Sequence, residues 1–228
     1  MLEMFKVEEY LDLSKTIANP LFDSVEYPWE ILPMLENFIA GLGPMLNADE
    51  FELKGENIWI HKSAKVAESA SITGPCIIDA DAQVRQCAFI RGSVIVGKGA
   101  VVGNSCEIKN SLLFDETEVP HFNYVGDSIL GFKSHLGAGA ITSNIKNDKK
   151  NVEVHFPMGK VETGLRKFGA VVGDNAQIGC NCVLNPGSVI GRNTRIYPLN
   201  SIRGWVEDNR VYKDKNNITE IMDNYYEE

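Results

Sequence analysis

Residues 76–108 read CIIDADAQVRQCAFIRGSVIVGKGAVVGNSCEI, and a branched aliphatic residue closes every group of six: Ile78, Val84, Ile90, Val96, Val102 and Ile108. Ile60, Val66 and Ile72 carry the series back toward the N-terminus. Neither a helix, with about 3.6 residues per turn, nor an alternating strand repeats with period six. Two places before most of these residues stands a small one: Ala64, Ala70, Cys76, Ala82, Ala88, Ala100 and Cys106. A narrow prism with three short parallel strands per coil needs that alternation, because only a small side chain fits beside each turn. One coil then takes about 18 residues. The sequence therefore reads as an all-β solenoid, a parallel β-helix on a hexapeptide repeat, over residues 57–203.

Working outward, the pattern stops after Lys109-Asn110, returns as Leu130-Gly131 and Leu136-Gly137, stops again, and then runs Val172-Gly173, Ile178-Gly179, Leu184, Ile190-Gly191, Ile196 and Ile202. Insertions in a solenoid lie outside its stack, so loops are expected near 111–128 and 143–168. The second holds the run Lys146-Asn147-Asp148-Lys149-Lys150, too polar for a core. Residues 1–56 read as helical. Pro28 suits a first turn, and Ile31, Leu32, Leu35, Phe38 and Ile39 recur at helical spacing, with Pro33 marking a kink or break. An open coil end needs a lid, so this segment is expected to form an N-terminal helical cap on the first coil, with a partner-binding module as the alternative. Residues 204–228 read as an acidic, loosely packed C-terminal tail ending in Asn224-Tyr225-Tyr226-Glu227-Glu228.

Composition narrows the function. A formal net charge of −9 leaves no basic footprint for nucleic acid, and any anionic ligand must meet a local cationic pocket. No apolar run reaches the roughly 18 residues of a membrane span, and charges in Met1–Tyr10 interrupt any signal peptide. A cytoplasmic, soluble protein is the expectation. The five cysteines, Cys76, Cys87, Cys106, Cys180 and Cys182, show no paired disulfide spacing. Cys180-x-Cys182 is read as structural and no metal site is expected, because zinc sites usually bring four spaced ligands.

Two features carry chemistry. Arg91 and Lys109 follow Ile90 and Ile108, 18 residues apart, and so stack on adjacent coils. At a strand separation of about 4.8 Å the two cations can share one phosphate, or else are solvated surface charges. His121 is a lone imidazole in Val119-Pro120-His121-Phe122-Asn123-Tyr124-Val125-Gly126-Asp127, read as a loop.

The stretch His121–Asn144, HFNYVGDSILGFKSHLGAGAITSN, resembles the acetyltransferase half of the bifunctional glucosamine-1-phosphate acetyltransferase and N-acetylglucosamine-1-phosphate uridyltransferase family, and still more its archaeal relatives. The resemblance runs from about Arg91 to Ile202 and takes in Glu107-Ile108-Lys109 and Arg166–Gly173. It implies a left-handed β-helix, an exception to the right-handed crossover rule, assembled as a homotrimer with active sites between subunits. Acetyl-CoA is the implied cosubstrate and an amino-sugar 1-phosphate the acceptor, a step toward UDP-N-acetylglucosamine. The catalytic histidine falls on His121, phosphate-binding cations on Arg91, Lys109 and Lys167, a sugar-contacting tyrosine on Tyr124, and an asparagine of the same pocket on Asn144. Glu107 matches the pattern and is expected to orient His121. An amine attacks a thioester only when neutral, and an imidazole with an ordinary pKa near 6.5 is suited to take its proton. Backbone N–H groups around Gly137-Ala138-Gly139 are expected to hold the oxyanion or the acetyl group, which places Ala138 and Gly139 in the cofactor site.

The departures concern the acceptor and the cofactor. His135 replaces an acceptor-binding asparagine, Ala140 a threonine and Ile145 a tyrosine, while Cys180 and Pro198 stand where a serine and an alanine contact CoA. No glycine-rich nucleotide-binding turn precedes residue 57, so uridyltransferase activity is not expected. Two further readings stay open. One is a γ-class carbonic anhydrase, disfavoured because the four histidines include no pair five apart. The other is a non-catalytic β-helix that binds a sugar phosphate or nucleotide sugar, or serves as a scaffold. Acyl transfer to another acceptor is a minor variant.

Overall fold

The computed structural model describes residues 6–221. From Ile58 the chain winds in three-sided coils whose short parallel strands stack into three flat faces. The first face begins with Ile58–His61 and Cys76–Ile78, the second with Lys65–Val66 and Gln83–Val84, and the third with Ser71–Ile72 and Phe89–Ile90. The branched residue of each hexad points inward, so Ile78, Val84, Ile90, Val96, Val102 and Ile108 are fully or almost fully buried. Corners are turned by residues with positive φ: Asp81, Cys87, Ser93, Gly99 and Ser105 stand six apart.

The spacing of six then lapses. The next corners are Asn110, Glu116, Phe122 and Asp127, so two sides of the third face have five residues instead of six. Val96 accordingly pairs with Leu113 and Leu113 with Leu130, each 17 residues on. The loop expected near 111–128 does not exist: Ser111–Leu113, Glu118–His121 and Tyr124–Gly126 continue the three faces. The small interior position also changes here from Ala or Cys to the buried Ser111, Thr117, Asn123, Ser128 and Ser134. Several of these side chains hydrogen-bond backbone oxygens, as Ser111 Oγ does to Lys109 O at 2.8 Å and Thr117 Oγ1 to Gly131 O at 2.9 Å. A buried hydroxyl is tolerated where it finds such a partner.

The second break is a true excursion. Between Thr142 and Ala170 the chain leaves the stack and forms a hairpin of Glu153–Phe156 with Gly159–Glu162. It is less polar than its sequence suggests, since Val152, Val154, Phe156 and Phe168 are buried. Beyond Arg203 the solenoid continues where a loose tail was expected. Trp205–Val206 adds to the first face, Arg210–Asp214 to the second, and Asn217–Glu220 folds back antiparallel on it. Five-residue sides, with corners at Leu199, Gly204 and Asn209, hide this coil from a search for period six. Asn224–Glu228 lie outside the described residues.

The N-terminal region is helical, with α-helices Val7–Tyr10 and Leu35–Leu42 and 3₁₀ turns between them; Pro33 falls in the turn Pro28–Met34, and the second helix starts only after it. The region does not lie over the first coil's open end, where Ile60, Ala64, Val66, Ala70 and Ile72 remain only partly buried. It runs as a strap along the first face. Outward-facing Ile77, Ile95, Leu112, Ile129, Val171 and Val189 join Leu11, Phe22, Trp29, Leu32, Leu35 and Ile39 of the strap in one apolar cluster. Trp205 Nε1 donates to Tyr10 Oη at 3.0 Å near the last coil, and Phe51–Gly55 pairs antiparallel with Ile58–His61 at the first. The physical reason is area: a face apolar from end to end offers far more surface to bury than one coil end.

Candidate active site

The third face carries no strap. Its outward residues are Ser71, Phe89, Glu107, Tyr124, Ile141, Val183 and Ser201, and the candidate residues gather along its two edges.

Along the edge shared with the second face, His121, Ala138, Cys180 and Pro198 form one column, each two residues after an inward Val119, Leu136, Ile178 or Ile196. Backbone bonds stack them: Gly139 N donates to His121 O at 3.0 Å, Asn181 N to Ala138 O at 2.9 Å, and Leu199 N to Cys180 O at 3.0 Å. Buried Asn123 fastens the corner. It accepts from His121 N at 3.0 Å through Oδ1 and donates through Nδ2 to Gly137 O at 2.8 Å and Ala140 O at 3.1 Å. The His121 backbone is thereby fixed while its side chain is exposed, and its ring has no hydrogen-bond partner among the described residues.

His135, by contrast, has its Nδ1 2.8 Å from Glu118 Oε2. An ionised carboxylate only accepts, so Nδ1 carries the hydrogen, and in the neutral ring Nε2 presents a lone pair. Arg85, Glu118, His121, His135, Ala138 and Cys180 line one groove of about 420 Å³. Of the backbone donors expected there, Gly137 N–H is bonded to Ile178 O at 2.7 Å and Gly139 N–H to His121 O. The Ala138 N–H has no such partner among the described residues.

Along the edge shared with the first face stand Arg91, Lys109, Asp127 and Asn144. Arg91 and Lys109 are on adjacent coils, as the hexad implied, but each has a carboxylate partner. Arg91 Nη1 lies 2.6 Å from Glu107 Oε1, and Lys109 Nζ lies 3.5 Å from Asp127 Oδ2. Glu107 thus holds Arg91 and does not orient His121 within this chain. The reason is register: Glu107 pairs with Phe89 and Tyr124 on the third face, whereas His121 pairs with Asn104 at the other edge. The bonded carboxylate keeps the Arg91 guanidinium above its already high ordinary pKa.

Asp127, only 4% exposed, is the hub of this edge. It accepts from Asn110 Nδ2 at 2.8 Å and from Asn144 Nδ2, and Asn144 also donates to the Tyr124 hydroxyl at 3.2 Å. Burial, with the nearby Asp127 charge, raises the Tyr124 phenol above its ordinary pKa, so the hydroxyl stays protonated at neutral pH. Phe168 N donates to Asn144 O at 3.0 Å, which brings Lys167 to the same edge, exposed and without a side-chain partner among the described residues. Sequence reasoning missed Asp127, Asn123 and Glu118. The signal for Asn123 was an amide in the small interior position; Asp127 and Glu118 required the five-residue sides to be seen.

The buried cysteines are structural in character: burial pushes the Cys76 thiol up to about 12, and the Cys106 and Cys182 thiols are also raised. Among the described residues no helix is long and apolar enough to cross a membrane.

Residues 72–156 match the family described as the GMPPB C-terminal domain, and residues 169–204 match the bacterial transferase hexapeptide family of six repeats. The bifunctional protein GlmU of Methanococcus maripaludis is 34% identical over 197 residues, covering 78% of this chain and 44% of that protein. The putative uncharacterized acetyltransferase YaiX of Escherichia coli is 28% identical over 206 residues, covering 82% of this chain and 86% of that protein. The acetyltransferase domain of PglB from Neisseria gonorrhoeae is 16% identical with a TM-score of 0.32, covering 88% of this chain and 75% of that chain. The chain spans less than half the length of the GlmU protein that it matches. The chain is thus a β-solenoid domain that carries the bacterial transferase hexapeptide repeat and is related to the archaeal GlmU-like bifunctional proteins.

Proposed function

We propose that this domain transfers an acetyl group from acetyl-CoA to the amine of an amino-sugar 1-phosphate, as a cytoplasmic homotrimer with active sites between subunits. The observation that carries the reading is the pair of columns on one open face. His121, Ala138, Cys180 and Pro198 follow one edge, and Arg91, Lys109, Asn144 and Lys167 gather at the other with Tyr124 between them. The relationship to GlmU-like proteins supports acetyl-CoA as cosubstrate.

In this reading His121 takes the proton of the attacking amine, and the exposed ring on a fixed backbone suits it to that task. The Ala138 N–H faces the oxyanion that forms as nitrogen bonds to the thioester carbon, and the C–S bond then breaks to release CoA thiolate. Arg91, Lys109 and Lys167 hold the phosphate, Tyr124 and Asn144 contact the sugar, and His135 Nε2 accepts from a donor on the acceptor. Gly139, Cys180 and Pro198 bound the CoA path through their main chain.

A thiol-release assay with acetyl-CoA and a panel of amino-sugar phosphates tests the reading, with light scattering for the trimer. Turnover with at least one acceptor and a mass three times that of one chain are expected; a monomer at micromolar concentration, or no thiol release, overturns it. His135 and Ile145, which stand in place of an asparagine and a tyrosine of the family, favour the second reading, a non-catalytic binder of sugar phosphate or nucleotide sugar, and binding without turnover would establish that instead.

A further inference from the structure

A cavity of about 620 Å³ belongs to neither column of candidates. It lies where the excursion folds back over the edge between the third and first faces. The excursion is fixed there by close backbone approach at two glycine corners with positive φ. A Cβ at Gly187 would meet Glu153 O at 2.7 Å, and one at Gly204 would meet His155 O at 2.7 Å. Buried Val152, Val154 and Phe156 anchor the same hairpin. Backbone packing therefore fixes the hairpin that walls the cavity.

Its lining combines Arg203, an apolar patch and amides with two carboxylates, Asp148 and Glu153, each already held by a lysine, Lys146 at 3.6 Å and Lys160 at 2.6 Å. Arg203 is exposed and has no hydrogen bond or ion pair among the described residues, unlike Arg91 and Lys109, whose charges are matched. Lys146 is matched in the same way by Asp148, so Arg203 carries the lining's unpaired charge among the described residues. Ile145, 39% exposed, and Pro186 offer apolar surface inside a polar cavity. The Asn185 side chain donates to Ser201 Oγ at 2.9 Å and to Ile202 O at 2.7 Å, which fixes the amide and leaves its oxygen to accept. An unmatched guanidinium prefers a phosphate, a flat ring prefers the aliphatic patch, and a fixed amide oxygen suits the donor edge of a base. The volume lies in the range of sites for drug-sized ligands, larger than a phosphate alone requires.

We propose that this cavity is a subsite for a phosphorylated nucleoside, with Arg203 on a phosphate and Ile145 and Pro186 against the base. The chemistry is shared by two sources, the 3′-phosphorylated adenosine diphosphate portion of CoA and a nucleoside diphosphate joined to an acceptor sugar. Ser143 lines the cavity beside Asn144, so a sugar at Asn144 and Tyr124 can extend into it, whereas the Ala138–Cys180–Pro198 column follows the opposite edge. The site does not require the acetyltransferase reading, and binding is measured without turnover.

The test is calorimetric titration of the full chain with adenosine 3′,5′-bisphosphate, uridine diphosphate and glucosamine 1-phosphate, each also against Arg203→Ala and Ile145→Asp. At least one nucleotide is expected to bind with a Kd below about 1 mM, weakened roughly tenfold or more by either substitution. Binding of the bisphosphate in competition with CoA assigns the cofactor as source; preference for uridine diphosphate assigns the acceptor. The proposal fails if neither nucleotide binds, or if both variants keep native circular dichroism and full nucleotide affinity; glucosamine 1-phosphate is expected to keep its affinity in both variants, which separates this cavity from the sugar-phosphate site.

Discussion

The first and third faces share one interior and differ in what they show outside. Inward, Ile78, Val96 and Leu113 of the first face and Ile90, Ile108 and Val125 of the third are alike buried in the same core. Outward, the first face presents Ile77, Ile95, Leu112, Ile129, Val171 and Val189, and the third presents Phe89, Glu107, Tyr124 and Ile141. A chain that covers the apolar strip leaves the mixed one open, and the candidate chemistry lies along the open face. In a solenoid, then, the inward residue of a hexad sets the fold and the residue before it sets what the face does.

The sharpest way to break this contrast is to change the open face's edge and ask whether stability notices. His121→Ala should lower turnover by about 10²–10⁴ while leaving the melting temperature and the mass in solution unchanged, because an exposed ring without a partner among the described residues holds nothing together. If His135→Ala loses the turnover and His121→Ala keeps it, the carboxylate-held imidazole is the base. The converse experiment is on the covered face. Trp29 is 2% exposed and packs against Phe168 with ring centroids 5.5 Å apart. Trp29→Ala should cost about 3–5 kcal/mol in urea denaturation, whereas Ile141→Ser on the open face should stay within about 0.5 kcal/mol. Equal losses would mean the two faces are not different in kind.

Next in size, Arg91→Ala or Lys109→Ala should raise the Michaelis constant for the sugar phosphate roughly ten- to a hundredfold and leave that for acetyl-CoA nearly intact. Loss of both affinities would point to damage within the coil. The smallest effect concerns thiols. A maleimide should label exposed Cys87 and Cys180 and spare buried Cys76, Cys106 and Cys182, with acetyl-CoA slowing Cys180 alone. Protection of Cys87 to the same degree would detach the cofactor from the His121 column.

Much of the interior was legible because period six and the small–branched alternation are consequences of prism geometry. What escaped was local. Ile108 to Leu113 is one residue short, and the small position passes to Ser111, Thr117 and Asn123, so a regular coil reads as a loop. The strap's place was written in the apolar outward residues of one face, which can be sorted only after strands are assigned to faces. For the site, stacking of Arg91 on Lys109 followed from spacing, but their partners Glu107 and Asp127 did not. Side-chain pairing depends on rotamers and on the five-residue sides that bring Asp127 beside Lys109.

The strap also dictates an order of events. Coils of a solenoid touch only their neighbours and can form as they appear, yet Tyr10 must find Trp205, 195 residues later in sequence. At a synthesis rate of roughly 5–20 residues per second, the strap leaves the ribosome some tens of seconds or less before its last partner exists. Meanwhile its apolar side, Leu11, Phe22, Trp29 and Leu35, and the strip of the first face await each other. The molecule thus trades the local, piecewise folding that repeats allow for a final closure of high contact order, and a stalled chain would expose both surfaces at once.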